Sequence, residues 1–416
     1  MEKKKILWLS DHALMHSGVA TQSKYLMQGL LKTGKYSIYQ LGAAKHHAPG
    51  AKTVKLSDDW IIEPVEGFGT KQQIRKLLLQ MKPDLILIFT DPRFFHWLFE
   101  MEDEIHQSCP IMWWHVWDAL PFPEFNKAYY DATDTLNCHS HMTASMLWDQ
   151  PEYKSKTNFI PHAVPAEEFY PLSDAAIRMS KEKYLSGRED FWTLFWINKN
   201  FSRKRPGDMI YAWSLFIERL ISEGKTLDVT LLMHTDPDAS YGAGLRDLVK
   251  KFNVQDSVKF SKNNIDPHQL NELYNMADCT INISNAEGFG LSTLESMMTG
   301  TPIIAPLLGG QTRQVIDYRT DTENGRALPI ELKSVNSSQQ VPYIFDQWTT
   351  PETIADKIYE MYSLSTEDKI KLKNQVLDYV SHEFKYEDTV SKWDSSIQET
   401  LETWKSNYKT YSLVRI

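Results

Sequence analysis

The sequence predicts an α/β protein built as two Rossmann-like, doubly wound domains facing a cleft, with further helices at its C-terminal end. Three observations predict it. The chain has 416 residues, more than one core of ordinary size uses. Short apolar strands alternate with helical stretches, the pattern of a mostly parallel sheet covered on both faces. That alternation stops near residue 172 and restarts near residue 191, so the repetition is one of architecture.

In the first half, apolar and β-branched runs predict strands over 5–10, 85–89, 111–115, 135–137 and 158–160. Helical composition between them predicts helices over 21–31, 71–81, 93–106 and 141–148. Tyr170-Pro171 and a charged stretch up to Ser186-Gly187 then read as a connection. The second half predicts strands over 191–197, 227–233, 258–260, 279–283 and 302–305. Its helices are predicted over 206–222, 244–252, 267–276 and 291–298, and helices over 353–363, 366–381 and 386–407 close the chain. The domains are therefore expected at 1–172 and 191–385, with a linker at 173–190 and a last helix, 386–416, that can cross back to the first domain.

Composition narrows the function classes. With 45 basic and 54 acidic residues the net charge is −9, which argues against a surface built as a whole to grip nucleic acid. The three cysteines are odd in number and far apart, so buried free thiols are expected. Behind Met-Glu-Lys-Lys-Lys, the apolar run Ile6–Leu9 is too short for a secretory core, and no later run approaches a spanning length. A cytoplasmic location is expected. The 13 tryptophans are read as core and packing residues before any is read as a sugar platform.

The chemistry concentrates at four strand ends. Glu287-Gly-Phe-Gly-Leu-Ser-Thr-Leu-Glu295 follows a strand and opens a helix, and Gly300-Thr-Pro302 ends it. Unpaired N–H groups at such a helix start favour an anion. The flanking carboxylates then suit hydroxyls, since they would repel phosphate. A ligand with both groups, such as a nucleotide-sugar, fits. The second site is Asn198-Lys-Asn-Phe-Ser-Arg203-Lys204-Arg205, four cations after the first strand of the second half. The third is Trp113-Trp-His115-Val-Trp-Asp118, and the fourth Ser17-Gly18-Val-Ala-Thr21.

The run from Asn285 through Glu295 to Pro302, within two alternating α/β halves, resembles the Glu-x7-Glu signature of the family 4 (group 1) glycosyltransferases. These are retaining enzymes of GT-B fold. The resemblance runs from the first strand to about Asp317 and weakens over 318–350. It implies transfer of a hexosyl group from a nucleoside-diphosphate sugar, UDP-glucose-type first and GDP-sugar next, to an acceptor hydroxyl. The donor is a co-substrate, and neither cofactor nor metal is implied.

The resemblance makes Glu287 a partner of donor-sugar hydroxyls and Glu295 an acceptor from ribose hydroxyls. The amides of Phe289, Gly290 and Leu291 would hold sugar and diphosphate, Lys204 would clamp the diphosphate, and His115 would contact the sugar near the reacting bond. Gly18 would let the backbone approach the phosphates, although many relatives carry two glycines there. The usual second cation stands earlier in the loop than Arg203. Whether Asn198, Lys199 or Arg203 replaces it stays open, and Lys199 and Arg203 are both counted among donor contacts.

The first domain is expected to take the acceptor. Saccharide, lipid-linked sugar, protein and modified DNA all stay open, as does oligomeric state. The basic stretch Thr70–Lys82 could meet a membrane surface, with an ordinary surface helix as the plainer reading. His46-His47 and His139-Ser-His141 lack further ligands at metal spacing. Phe260–Asn263 stands where the family places its base. Two other classes fit the same residues: a GT-B nucleotide-sugar epimerase or phosphorylase, and a non-catalytic sugar- or nucleotide-binding subunit.

Overall fold

The computed structural model describes residues 2–43, 52–262 and 265–408, so His46-His47 and Asn263 lie outside the described residues. The chain divides into two compact units, Met1–Ala163 with Tyr386–Ile416, and Val164–Lys385. Residues 164–190, expected as domain end and linker, belong to the second unit. The reason is local: Tyr170 and Leu172 N–H donate to the Oδ1 atoms of Asn271 (3.0 Å) and Asn275 (2.8 Å).

The first unit is one eight-stranded sheet. Its strands are β1 (Lys4–Asp11), β2 (Tyr36–Ala43), β3 (Val54–Ser57), β4 (Trp60–Pro64), β5 (Leu85–Phe89), β6 (Ile111–His115), β7 (Thr135–Cys138) and β8 (Thr157–Phe159), in the order β3-β4-β2-β1-β5-β6-β7-β8. Every pairing is parallel except β3 with β4. Strand β2 was not expected, because its apolar run is broken by Gln40. That side chain is fully buried and satisfied: Nε2 donates to Ser10 Oγ and Asp11 O, both at 2.8 Å, and Oε1 accepts from Ala13 N–H at 3.3 Å.

The single helix expected over 93–106 is three short pieces, Pro92–Phe95, His96–Phe99 and Glu102–Ile105. Phe95 and Met101 leave helical geometry while burying their side chains, so tertiary packing overrides local propensity. The basic helix Lys71–Gln80 faces this segment. Lys71 pairs with Glu100 and Arg75 with Glu104, which neutralises much of its charge.

The second unit carries a parallel six-stranded sheet. Its strands are β9 (Trp192–Ile197), β10 (Val229–His234), β11 (Val258–Ser261), β12 (Cys279–Ile281), β13 (Ile303–Pro306) and, after a small antiparallel pair β14 (Ile316–Asp317) and β15 (Thr322–Glu323), β16 (Gly325–Leu328). Their order is β11-β10-β9-β12-β13-β16. A hairpin of β17 (Leu332–Asn336) and β18 (Ile344–Trp348) follows, with β17 exposed along its whole length. Neither β16 nor this hairpin was expected. The predicted α/β class of two doubly wound sheets is the fold observed.

Trp8, Trp113, Trp114, Trp196, Trp213 and Trp393 are fully buried, so the tryptophans serve mainly as core. Cys109, Cys138 and Cys279 are buried free thiols. None of the described helices is long and apolar enough to cross a membrane.

The last helix, Tyr386–Asn407, completes the first unit through a close approach to helix Gly18–Lys32. A Cβ on Gly29 would lie 2.9 Å from Tyr386 Oη and 3.2 Å from Val390 Cγ1. Buried polar pairs fix the register: Thr135 with Thr400 Oγ1 at 2.7 Å, and Ser396 Oγ donating to Asn137 Oδ1 at 3.0 Å. Gly29→Leu should therefore overpack this contact and destabilise the chain by about 1–3 kcal/mol. A lowered urea midpoint measures it, and an unchanged midpoint would show that the helices separate freely.

Candidate active site

In the second sheet the chain leaves β9 towards β10 and β11 on one side, and leaves β12 towards β13 and β16 on the other. Loops from adjacent strands that diverge in this way open a crevice at the carboxyl end of the sheet. Two of the sequence-predicted constellations are these two loops.

The loop after β9 is fixed before it meets any ligand. Asn200 is buried, donates to Asp236 O (3.2 Å) and Ala243 O (2.9 Å), and accepts from Ala243 N–H (2.9 Å). Arg205 takes a left-handed backbone (φ +52°) to turn into helix Pro206–Ser222. Its guanidinium donates to Asp208 (2.8 Å) and to Thr349 O (2.9 Å), so this cation is structural. Lys199 is exposed.

The loop after β12 is tied to the first loop. Asn285 N–H donates to Arg203 O at 3.0 Å, and Arg203 Nη1 donates to Ala286 O at 2.9 Å. Beside this double tie the Lys204 ammonium pairs with Glu287 Oε2, with side chains 9% and 16% exposed. Asn282 Nδ2 reaches the same oxygen at 3.4 Å. Burial pushes the Glu287 carboxyl up. Lys204, Arg203 and Asn282 together outweigh burial and hold it below the ordinary value, so it is ionised.

Helix Leu291–Met298 begins here. Its cap, Gly290, has φ +91° and supplies no capping side chain, so the first-turn N–H groups lack an intrahelical partner. The loop carbonyls are occupied instead. Gln314 Nε2 donates to Phe289 O (2.8 Å) and Gly290 O (3.2 Å), and Thr293 Oγ1 donates to Gly290 O at 2.8 Å. The turn Gly309–Gln311 presses on the same loop: a Cβ on Gly310 would lie 2.6 Å from Gly288 O and 2.8 Å from Phe289 O. The Phe289 ring is core, edge-on to Phe384 at 5.8 Å. Leu291 is half-buried in the first turn.

Glu295 lies one helical turn further on, in the opposite environment. Tyr274 Oη donates to its Oε2 at 2.7 Å. Burial pushes its carboxyl up to about 7; Tyr274 lowers it and the Glu168 charge raises it further.

The first unit holds the other two predicted residues. His115 is 1% exposed, with Nε2 3.1 Å from Tyr130 Oη and its ring 4.1 Å from that of Trp113. Burial, and secondarily His139, hold the ring neutral, well below the usual imidazole value. In this conformation it is a core histidine, and its buried Nδ1 has no hydrogen-bond partner among the described residues. Gly18 is exposed at the first position of its helix, whose cap, Ser17, accepts from Ala20 N–H at 3.1 Å. Among the described residues no group of three or more His, Cys, Asp or Glu is arranged to hold a metal.

Sequence reasoning missed Asn282, Tyr274, Gln314 and the Gly309-Gly310 turn. The double glycine after β13 was the legible signal; Asn282 and Tyr274 are polar residues on elements already read as strand and helix, and Gln314 stands on a stretch read as neither.

Residues 235–331, which include both glutamates, match the family model described as glycosyl transferases group 1. Over that stretch the chain is similar to the group 1 glycosyltransferases. It is 27% identical over 158 residues to mannosylfructose-phosphate synthase of Agrobacterium fabrum, a match covering 38% of this chain and 34% of the relative. It is 42% identical over 73 residues to D-inositol 3-phosphate glycosyltransferase of Acidothermus cellulolyticus, covering 18% and 16%. The matches thus span 34% and 16% of the length of these curated relatives.

Among solved structures this chain is similar to Anabaena HepE in complex with UDP and glucose, at TM-score 0.69 and 13% identity over 95% of this chain and 100% of that one. Sucrose-phosphate synthase of Thermosynechococcus elongatus gives 0.70 and 16%, over 96% and 100%. These likenesses place the fold among GT-B glycosyltransferases.

The ion pair gives a direct test. Lys204→Met leaves the Glu287 carboxylate without its cation and should cost about 3–5 kcal/mol at pH 7. Lys204→Met with Glu287→Gln should recover most of that loss. Because the Glu287 carboxyl is held low, the pair stabilises above the ordinary carboxylate value and loses its effect as pH falls through the lowered one. Urea unfolding of the three proteins measures both, and equal stability of the single and double variants would contradict it.

Proposed function

We propose that the chain is a retaining hexosyltransferase that uses a nucleoside-diphosphate sugar, UDP-glucose-type first, and that it works in the cytoplasm without a metal. One observation carries the reading: a cation and an ionised carboxylate are paired beside an uncapped helix start, at the switch point of the sheet. The group 1 match over 235–331 and the UDP and glucose named for HepE support that donor class.

The residues divide the work by charge. Lys204 and Arg203, with the N–H groups at Gly290 and Leu291, take the diphosphate. Arg203 fills the place of the second cation, because its guanidinium lies beside Glu287 with one bond to Ala286, whereas Arg205 is consumed structurally. Glu287 accepts from sugar hydroxyls and Glu295 from the ribose. When the bond from the anomeric carbon to the phosphate oxygen breaks, charge grows on the diphosphate where these fixed donors stand. The acceptor hydroxyl attacks from the same face and passes its proton to the departing phosphate oxygen, so no protein base is required. His115 is assigned a packing role in the first unit, which we assign to the acceptor.

The test is UDP release from UDP-glucose with acceptors of each class, including the sugar and inositol phosphates that the relatives' names suggest. UDP should appear only when an acceptor is present, and the product should keep the α configuration by proton NMR. Release without acceptor would favour an epimerase or phosphorylase, and an inverted product would overturn the retaining reading. Lys204→Ala should lower kcat by about 100-fold or more, the usual scale for one charge-stabilising donor.

A further inference from the structure

Gln311 lies outside every motif and outside the hydrogen bonds that knit the motif loop. It ends the turn Gly309–Gln311 and is fully buried, yet neither Nε2 nor Oε1 of its carboxamide has a hydrogen-bond partner among the described residues. Its neighbours satisfy one another. Gln314 Nε2 serves the carbonyls of Phe289 and Gly290, and the Thr293 hydroxyl is shared between Gly290 O and Gln314 Oε1. A carboxamide left in this state costs stability, and an apolar side chain of the same length would fill the space without that cost.

This amide stands beside the uncapped helix start. Gly290, the cap of helix Leu291–Met298, has no side chain, and a Cβ there would lie 2.9 Å from Gln311 Cγ and 3.3 Å from its Nε2. The helix returns its first bond to this cap from Leu294 N–H, at 3.1 Å, which leaves the N–H groups of residues 291–293 without an intrahelical partner. Two independent features therefore meet at one place. The helix start favours an anion, and a buried amide donor without an acceptor lacks what an anion supplies.

We propose that Gln311 is a diphosphate-binding residue: when the nucleotide-sugar seats at the helix start, the carboxamide turns past Gly290 and Nε2 donates to a phosphate oxygen. This rests on the proposal that the N–H groups at Gly290 and Leu291 take the diphosphate. A side chain at position 290 would block that turn, so the missing Cβ serves the amide as well as the backbone.

Gln311→Met keeps the length of the side chain and removes the amide. Calorimetry with UDP-glucose and with UDP should show affinity about tenfold or more below wild type for both, since each loses a hydrogen bond to a charged group. Urea unfolding without ligand should give a midpoint equal to or above that of wild type, because an unpartnered buried amide has gone. Gln311→Glu, which brings a negative charge to the same place, should weaken both ligands further. Three results would each overturn the inference. Wild-type affinity in Gln311→Met, or a loss confined to UDP-glucose, would take the amide off the diphosphate. A lowered midpoint without ligand would make its role one of packing or of holding a buried water. Wild type that binds none of UDP-, ADP- or GDP-glucose would instead overturn the nucleotide-sugar reading, and this inference with it.

Discussion

Backbone meets backbone where the turn Gly309–Gln311 lies against the loop Glu287–Gly290, and the site depends on that contact. Gly309 has φ +55°, and any Cβ on it would collide with the Glu287 carbonyl. With both turns stripped of side chains, Gln314 reaches the carbonyls of Phe289 and Gly290 and turns the peptide units so that their oxygens are used internally. The N–H groups at the helix start then point away from the core, which is the polarity an anion requires. The loop after β9 closes the other side through the Arg203–Asn285 and Arg203–Ala286 bonds, so Lys204 is delivered to Glu287 by two independently fixed strands.

The two glutamates of one motif occupy contrasting electrostatic surroundings. Both are partly withdrawn from water, which raises each carboxyl. Cations outweigh burial at Glu287, and burial prevails at Glu295. A carboxylate already ionised beside Lys204 can accept from sugar hydroxyls without first losing a proton. The Glu295 carboxyl meets the Tyr274 hydroxyl instead. Sites with paired titratable groups pushed apart in this way assign different roles to chemically identical residues.

Much of this was legible in the sequence because the signals were local. Strands β5 and β6 and the helices 206–222, 267–276, 291–298 and 386–407 have the expected bounds, since their periodicity and breakers stand within the segment itself. Strand β2 was hidden by Gln40, whose burial is satisfied only by residues about 30 positions earlier. The hairpin β17–β18 was hidden because β17 is exposed and shows no buried face. Within the site, Glu287 and Lys204 could be named from residue type and spacing, but their pairing could not, because it depends on strand order in the sheet. His115 shows the converse. A histidine at a strand end looks available until Tyr130, 15 residues later, is seen to meet its Nε2.

The central claim is that backbone geometry at the Glu287–Gly290 loop, held by the second glycine turn, makes the nucleotide-sugar site. Gly310→Ala tests it most directly: Gly310 is not among the glycines of positive φ, so the added methyl acts by pushing Gly288 and Phe289. The account predicts that UDP-glucose affinity, measured by calorimetry on protein that still unfolds cooperatively, falls about tenfold or more, the scale expected when a binding loop shifts by about an ångström. Wild-type affinity in that folded variant would contradict it.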